Sequence, residues 1–138
     1  MKVLMMIKHS ENVRSEPVPQ ALMDAMGKFV EDGFKSGVLK DTAGLKPTAE
    51  AFRIRLSGGK LKVTDGPFTE AKEVIGGYWM IQVKSKEEAV EWASRCPASD
   101  NEVIELRQVQ EMSDFPADVQ EAAAGFPELQ EQSKRKVS

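Results

Sequence analysis

Residues 64–79 read Thr-Asp-Gly-Pro-Phe-Thr-Glu-Ala-Lys-Glu-Val-Ile-Gly-Gly-Tyr-Trp, and they connect two predicted strands, residues 60–63 and 74–83. Asp65 and Gly66 favour a turn, because Gly adopts positive φ at little cost and Asp bonds its own backbone. Pro67 fixes φ and removes a backbone donor, so the turn is stiff. The turn presents four charged side chains, Asp65, Glu70, Lys72 and Glu73.

The pattern of apolar residues predicts the elements on either side of this turn. Further strands are predicted at residues 2–8, 38–45, 51–56 and 103–109, with helices at about 19–36 and 86–96. The order β-α-β-β-β-β-α-β places two helices on one face of a mainly antiparallel sheet. We therefore predict an α+β, ferredoxin-like sandwich over residues 1–112, followed by a helical C-terminal tail, residues 113–138.

The second face of such a sheet has no helix to cover it. The strand at residues 2–8 is apolar on both sides, so this open face should carry apolar side chains. Covering it with another copy of the chain buries those side chains. The sequence therefore predicts a homodimer, with a cleft on the open sheet face at the dimer interface.

Composition excludes several classes of function. The chain has 138 residues with 19 Lys and Arg against 22 Asp and Glu, a net charge of −3, which is not the basic footprint of a nucleic-acid binder. No apolar run is long enough for a membrane span. Cys96 is the only cysteine, so an internal disulfide is excluded and a cytoplasmic location is predicted. One Cys and one His form no recognisable zinc-ligand set, and we expect no metal or other cofactor.

Several blocks of this sequence together have the pattern of a known family. They are the opening strand, Asp65-Gly66-Pro67-Phe68, Glu70-x-Lys72-Glu73, Gly76-Gly77-Tyr78, Glu91-Trp92-Ala93-x-x-Cys96-Pro97 and Ile104-Glu105-Leu106-Arg107-Gln108-Val109. These blocks resemble the DGPF group of the YCII-related family. The resemblance covers residues 1–112 and implies a dimeric α/β-barrel arrangement of ferredoxin-like domains. In the wider family one relative is a dehydrochlorinase, and the fold resembles that of muconolactone isomerase. Some DGPF members occur beside extracytoplasmic-function sigma factors.

Two residues are candidates for acid–base catalysis. His9 ends the first strand on the same side as Val3, Met5 and Ile7, and histidine is the side chain that exchanges a proton most readily near neutral pH. Its alternative role is structural. Asp65 is either an acid or base at the mouth of a cleft or an Asx-turn residue that bonds its own loop.

The candidate ligand-binding residues are polar or aromatic groups near the open face. Lys72 and Glu73 either hold a polar ligand or form exposed ion pairs. Tyr78 and Trp79 point to opposite sheet faces, so one of them lines the cleft. Glu105 and Arg107 share one side of the last strand, and together with Arg53 and Arg55 they would suit an anionic small molecule. The alternative is that all four simply face water or pair with each other.

Three functions remain open at this point. The first is a small-molecule-binding protein with a cleft on the open face. The second is an enzyme of isomerase or dehydrochlorinase type, in which His9 or Asp65 is the base and Arg107 orients an anion. The third is an interaction module linked to sigma-factor-dependent transcription.

Overall fold

The computed structural model describes residues 1–10, 17–68, 71–100 and 102–128. Glu70 and the charged end of the tail therefore lie outside the described residues. The strands are β1 (Lys2–His9), β2 (Leu39–Gly44), β3 (Phe52–Ser57), β4 (Lys60–Asp65), β5 (Val74–Gln82) and β6 (Val103–Gln108). The helices are α1 (Gln20–Lys35), α2 (Lys86–Arg95) and α3 (Ala117–Ala123), the last in the predicted tail.

A four-stranded antiparallel sheet with the order β2-β5-β1-β6 forms the centre of the fold. The predicted α+β class is confirmed, and the strand order is compatible with a ferredoxin-like fold. Aromatic contacts join the helices to the sheet. Phe29 of α1 lies edge-on to Trp79 of β5 at 6.1 Å between ring centroids and to Trp92 of α2 at 6.2 Å. The predicted dimeric barrel remains a prediction.

The register of β1 divides the side chains of the sheet between its two faces. Val3, Met5, Ile7 and His9 are buried on the helix side, as their shared parity predicts. Leu4, Met6 and Lys8 therefore point to the other side, which we call the open face. Across the strands, the open face also carries Asp41, Ile75, Tyr78, Met80, Val103, Glu105 and Arg107.

Helix α1 lies closest to the sheet near its C-terminal end. A Cβ built on Gly33 would lie 2.8 Å from the Cβ of Leu39 in β2, so only glycine permits this approach. The helical spacing of Phe29, Val30 and Phe34 predicts Phe34 on the buried face. In the structure Phe34 is 49% exposed, and Gly33 is buried instead. Gly37, with φ 77°, follows the helix in the left-handed conformation predicted for it.

Strands β3 and β4 form a separate two-stranded hairpin, residues 52–65, which we call the arm. Gly58 and Gly59 have positive φ at its tip, in agreement with the predicted tight turn. The alternation of Phe52, Ile54 and Leu56 with Arg53 and Arg55 predicts a strand covered on one side. That expectation is wrong, because every residue of β3 is exposed. Alternating apolar residues in a strand need a partner surface, and for this strand the described residues do not supply it.

The Asp-Gly-Pro-Phe motif anchors the base of the arm. The Gly66 N–H donates to the carbonyl of Ala51 at 2.8 Å, and Phe68 is buried with the Arg53 guanidinium 3.8 Å from its ring centroid. The predicted positive φ at Gly66 is wrong. Glycine is required there because a Cβ would lie 1.7 Å from the Thr48 carbonyl oxygen.

Gly66→Ala should therefore lower the free energy of unfolding by about 3 kcal/mol, because the backbone atoms in its way cannot rotate aside as a side chain could. The matched control is Gly27→Ala in α1, where no described atom lies within 4 Å of the new Cβ. That change should raise stability by up to about 1 kcal/mol through helix propensity. Urea denaturation, monitored by circular dichroism, compares Gly66→Ala with Gly27→Ala. Equal denaturation midpoints for the two variants would contradict this role for Gly66.

Candidate functional site

A cavity of about 880 Å³ lies between the N-terminal half of α1 and the helix side of the sheet. Its volume is within the range of small-molecule binding pockets. Most of its lining is apolar, with contributions from α1, the segment before it, β1, β2 and β5. The lining residues include Ile7, Val18, Leu22, Met26, Val30 and Trp79, with His9, Thr42, Ser99 and Glu102 as the polar side chains.

Glycines of the sheet explain why this space is open. Gly44 and Gly77 face each other across β2 and β5, and Gly77 in turn faces Ile7 of β1. Gly76 also lines the cavity. Gly44 and Gly77 therefore contribute no side chain beneath the start of α1. At the far end of the helix, Gly33 lies directly against Leu39. The helix is supported at one end, and a cavity remains at the other.

His9 is the polar residue of the cavity whose bonding is incomplete. It is 6% exposed, and its ring Nδ1 lies 2.7 Å from the carbonyl oxygen of Ser10. Because a carbonyl only accepts, Nδ1 must carry the proton of this bond, and in the neutral ring Nε2 is then an acceptor. Nε2 is buried and has no hydrogen-bond partner among the described residues. A second cavity beside His9, of about 20 Å³, has room for about one water molecule.

Other polar groups around the cavity already have partners in the chain. The Thr42 hydroxyl donates to the Tyr78 carbonyl at 2.9 Å. The Glu102 carboxylate accepts from the Ser99 N–H at 3.2 Å. A ligand that enters this space therefore meets a mainly apolar wall, whose lining includes His9, a residue with a buried ring nitrogen that has no described partner.

Two polar clusters lie on the open face. The Lys8 ammonium donates to Glu105 at 2.9 Å and lies 3.7 Å from Glu73, and chiefly this hydrogen bond to Glu105 raises the pKa of Lys8. The Tyr78 hydroxyl donates to Asp41 at 3.1 Å, which raises the pKa of Tyr78. The stability that the Lys8 cluster contributes is present below the unfolded pKa of Lys8 and is lost as pH rises through the raised value.

The predicted site residues therefore occupy separate places. Glu73, Tyr78, Glu105 and Arg107 lie at or beside the open face, where Glu105 pairs with Lys8 and not with Arg107. Lys72 is exposed in the bend before β5, and Asp65 is exposed at the base of the arm opposite Phe52. His9 faces the helices. The described contacts do not bring His9 and Asp65 together.

Sequence reasoning missed the partners that complete these clusters. Lys8 and Asp41 lie on the open face by register, and the parity of Lys8 in the first strand was the available signal. Glu102 comes to the cavity from the segment before β6, and nothing in its local sequence indicates this. Among the described residues, no group of three His, Cys, Asp or Glu side chains is placed to hold a metal ion.

Cys96 follows α2 and is buried in the core. Burial, with a smaller contribution from the Glu102 charge, raises the pKa of its thiol to about 12. A thiol in this state is a poor nucleophile, so Cys96 serves as a small apolar side chain. No helix in the described part of the chain is long and apolar enough to cross a membrane.

These observations define an α+β domain, compatible with a ferredoxin-like fold, with a projecting arm and a cavity on the helix side of its sheet. A sequence model of the YCII-related domain matches residues 1–113, and the chain therefore belongs to the YCII-related family. Over 78 residues it is 38% identical to the uncharacterized protein R00369 of Rhizobium meliloti (strain 1021), a match that covers 56% of this chain and 60% of that protein. The match thus spans about three fifths of the relative's length.

The raised pKa of Cys96 predicts slow alkylation in the native protein. At pH 8 a thiol with a pKa of about 12 is ionised about a thousand times less than one with the ordinary value of 9.0. Iodoacetamide should therefore modify native Cys96 about a thousandfold more slowly than the urea-unfolded chain, as followed by mass spectrometry. Between the ordinary pKa of 9.0 and the raised pKa of about 12, only the thiol of the unfolded chain ionises. The free energy of unfolding should therefore also fall as pH rises from about 9 to 12. A native rate within tenfold of the unfolded rate would contradict both expectations.

Proposed function

We propose that this protein binds a small, mainly apolar molecule that carries one hydrogen-bond donor, in the cavity between α1 and the sheet. The observation on which this rests is the volume of about 880 Å³ beside a buried acceptor, His9 Nε2, that has no partner among the described residues. A flat aromatic ring with a hydroxyl group matches both features, because its ring fills apolar space and its hydroxyl donates to Nε2.

This proposal differs in location from the cleft expected on the open face. The open-face candidates Glu73, Tyr78 and Glu105 are occupied by Lys8 and Asp41, whereas the helix-side cavity has an unsatisfied polar group. An anionic ligand at the open face would have to displace these contacts. The helix-side cavity therefore has the stronger support, and an open-face site for Lys72, Glu73, Tyr78, Glu105 and Arg107 stays a prediction.

Calorimetric titration with two probes of nearly equal shape tests the proposal. 1-Naphthol should bind with a dissociation constant on the order of tens of micromolar. 1-Methoxynaphthalene, which has no donor, should bind about three- to tenfold more weakly, the value of one net hydrogen bond. His9→Phe keeps an aromatic ring but removes the acceptor, so in this variant the preference for 1-naphthol should disappear.

A second variant tests the location of binding. Gly44 lines the cavity, and a Cβ built there meets no described atom within 4 Å. Gly44→Leu should therefore fill the cavity and raise the dissociation constant of 1-naphthol at least tenfold. Gly27→Leu, at a similarly open position on α1 that is not part of the lining, is the matched control. Binding that is unchanged by Gly44→Leu, or absent for both probes, would contradict the proposal.

Proton transfer in the same cavity is a second candidate, because Nε2 in the neutral ring can accept a proton as well as a hydrogen bond. Glu102 lines the same cavity, whereas Asp65 belongs to the base of the arm. Solvent deuterium should enter the activated CH₂ of 2-tetralone at least tenfold faster with the protein than in buffer, as measured by proton NMR. The His9→Phe variant should lose this acceleration. An equal exchange rate with the unaltered protein and with His9→Phe would contradict proton transfer by His9, and ligand binding would then be the only function proposed for the cavity.

A further inference from the structure

The cavity between α1 and the sheet has a single formal charge in the described part of its lining, the carboxylate of Glu102. Glu102 is half-buried in the segment before β6. One of its carboxylate oxygens accepts from the Ser99 N–H at 3.2 Å. Within the described ranges no Lys or Arg forms an ion pair with it, so the wall of the cavity carries an uncompensated negative charge.

The register of the sheet sets Glu102 beside His9. Lys8 of β1 faces Val103 of β6 in an antiparallel pair. The same register, continued by one residue, sets His9 against Glu102. Residues opposite each other in such a pair project from the same face, with Cβ atoms roughly 5 Å apart. Both residues line the cavity, so the two acceptors belong to the same part of its wall.

Two further observations agree that Glu102 faces the helix side of the sheet. It shares the parity of Ile104 and Leu106, which pack against the helix-side core. Burial first, and then the charge of Glu102, raise the pKa of the Cys96 thiol. Because Cys96 belongs to the same buried core, the carboxylate must lie close enough to that core for its charge to act on it.

The chemistry of these two groups restricts the ligand. His9 Nε2 is a buried acceptor with no described partner, and the Glu102 carboxylate is an acceptor with a charge. An apolar ligand would displace water from this carboxylate without replacing its hydrogen bonds, which costs free energy. A ligand hydroxyl has one proton and can donate to one of the two groups. A primary ammonium has three N–H donors and a positive charge, so it can donate to both.

We propose that the ligand of this cavity is a primary arylalkylamine, whose ammonium group donates to His9 Nε2 and to the Glu102 carboxylate while its apolar body fills the remaining space. This inference rests on the proposed function, because it assigns the polar group of the same ligand. It makes Glu102 the residue that selects the charge of the ligand. Anionic molecules of the same shape are rejected, since they bring a like charge to Glu102 and no donor to His9.

Three naphthalene probes that differ in the charge of one substituent test this selection by calorimetric titration at pH 7. They are 1-naphthylmethylamine, which is protonated at this pH, 1-naphthalenemethanol and 1-naphthoate. The amine should bind about tenfold more tightly than the alcohol, as a charge-assisted hydrogen bond predicts. The carboxylate should bind at least tenfold more weakly than the alcohol.

A variant assigns the preference to one side chain. Glu102→Gln removes the charge and keeps an oxygen that can accept from Ser99, so the advantage of the amine over the alcohol should fall below threefold. Glu87→Gln removes the same charge from an exposed position in the first turn of α2, outside the described lining. It is the matched control and should keep the tenfold preference. In Gly44→Leu the amine should bind at least tenfold more weakly.

The outcomes separate this inference from the proposed function. If 1-naphthol and 1-naphthalenemethanol bind in the cavity and the amine binds no more tightly, the ligand class is wrong and the proposed function stands. A preference for the amine that survives Glu102→Gln, falls equally in Glu87→Gln or persists unweakened in Gly44→Leu would also overturn the inference, because the ammonium would then be bound elsewhere. Absence of binding for 1-naphthol and for the amine would contradict the proposed function and this inference together.

Discussion

The close approach of α1 to β2 at Gly33 is the contact that shapes the rest of the domain. A Cβ at Gly33 would lie 2.8 Å from the Cβ of Leu39, so the helix can rest on the sheet at this end only because residue 33 has no side chain. At the other end Gly44 and Gly77 lie beneath the helix, and neither has a side chain that could pack against it. The same absence of side chains that brings helix and sheet together at one end leaves a cavity at the other.

The Asp-Gly-Pro-Phe motif has a structural role that does not depend on the charged residues of its segment. Gly66 packs against the Thr48 carbonyl, and Phe68 is buried beneath Arg53. These contacts determine where the arm leaves the body, and they involve none of the carboxylates that make the segment look like a site. The motif therefore constrains the direction of the arm, and through it the surface that the arm can present to another molecule.

Local patterns predicted the elements well because each depends on residues close in sequence. The parity of β1 placed His9 with the buried residues. The Ser85-x-x-Glu88 pattern likewise predicts a cap for α2, and the Ser85 hydroxyl accepts from the Glu88 N–H. The cavity was not predictable, because it requires the register that sets Gly44 against Gly77. The exposed arm was missed for a different reason. Alternation of Phe52, Ile54 and Leu56 has the same appearance whether the covering surface belongs to this chain or to another.

Strand β5 separates the cavity from the open face by the thickness of one backbone. Trp79 lines the cavity, whereas Tyr78, the preceding residue, lies on the open face and donates to Asp41. Thr42 lines the cavity and donates to the carbonyl of Tyr78, so a ligand that moves Thr42 also acts on the backbone of a residue whose side chain lies on the open face. This shared contact is a physical route by which a ligand in the cavity would alter the open face. Because linkage is reciprocal, the factor by which a molecule bound on the open face changed ligand affinity would equal the factor by which the ligand changed the affinity for that molecule.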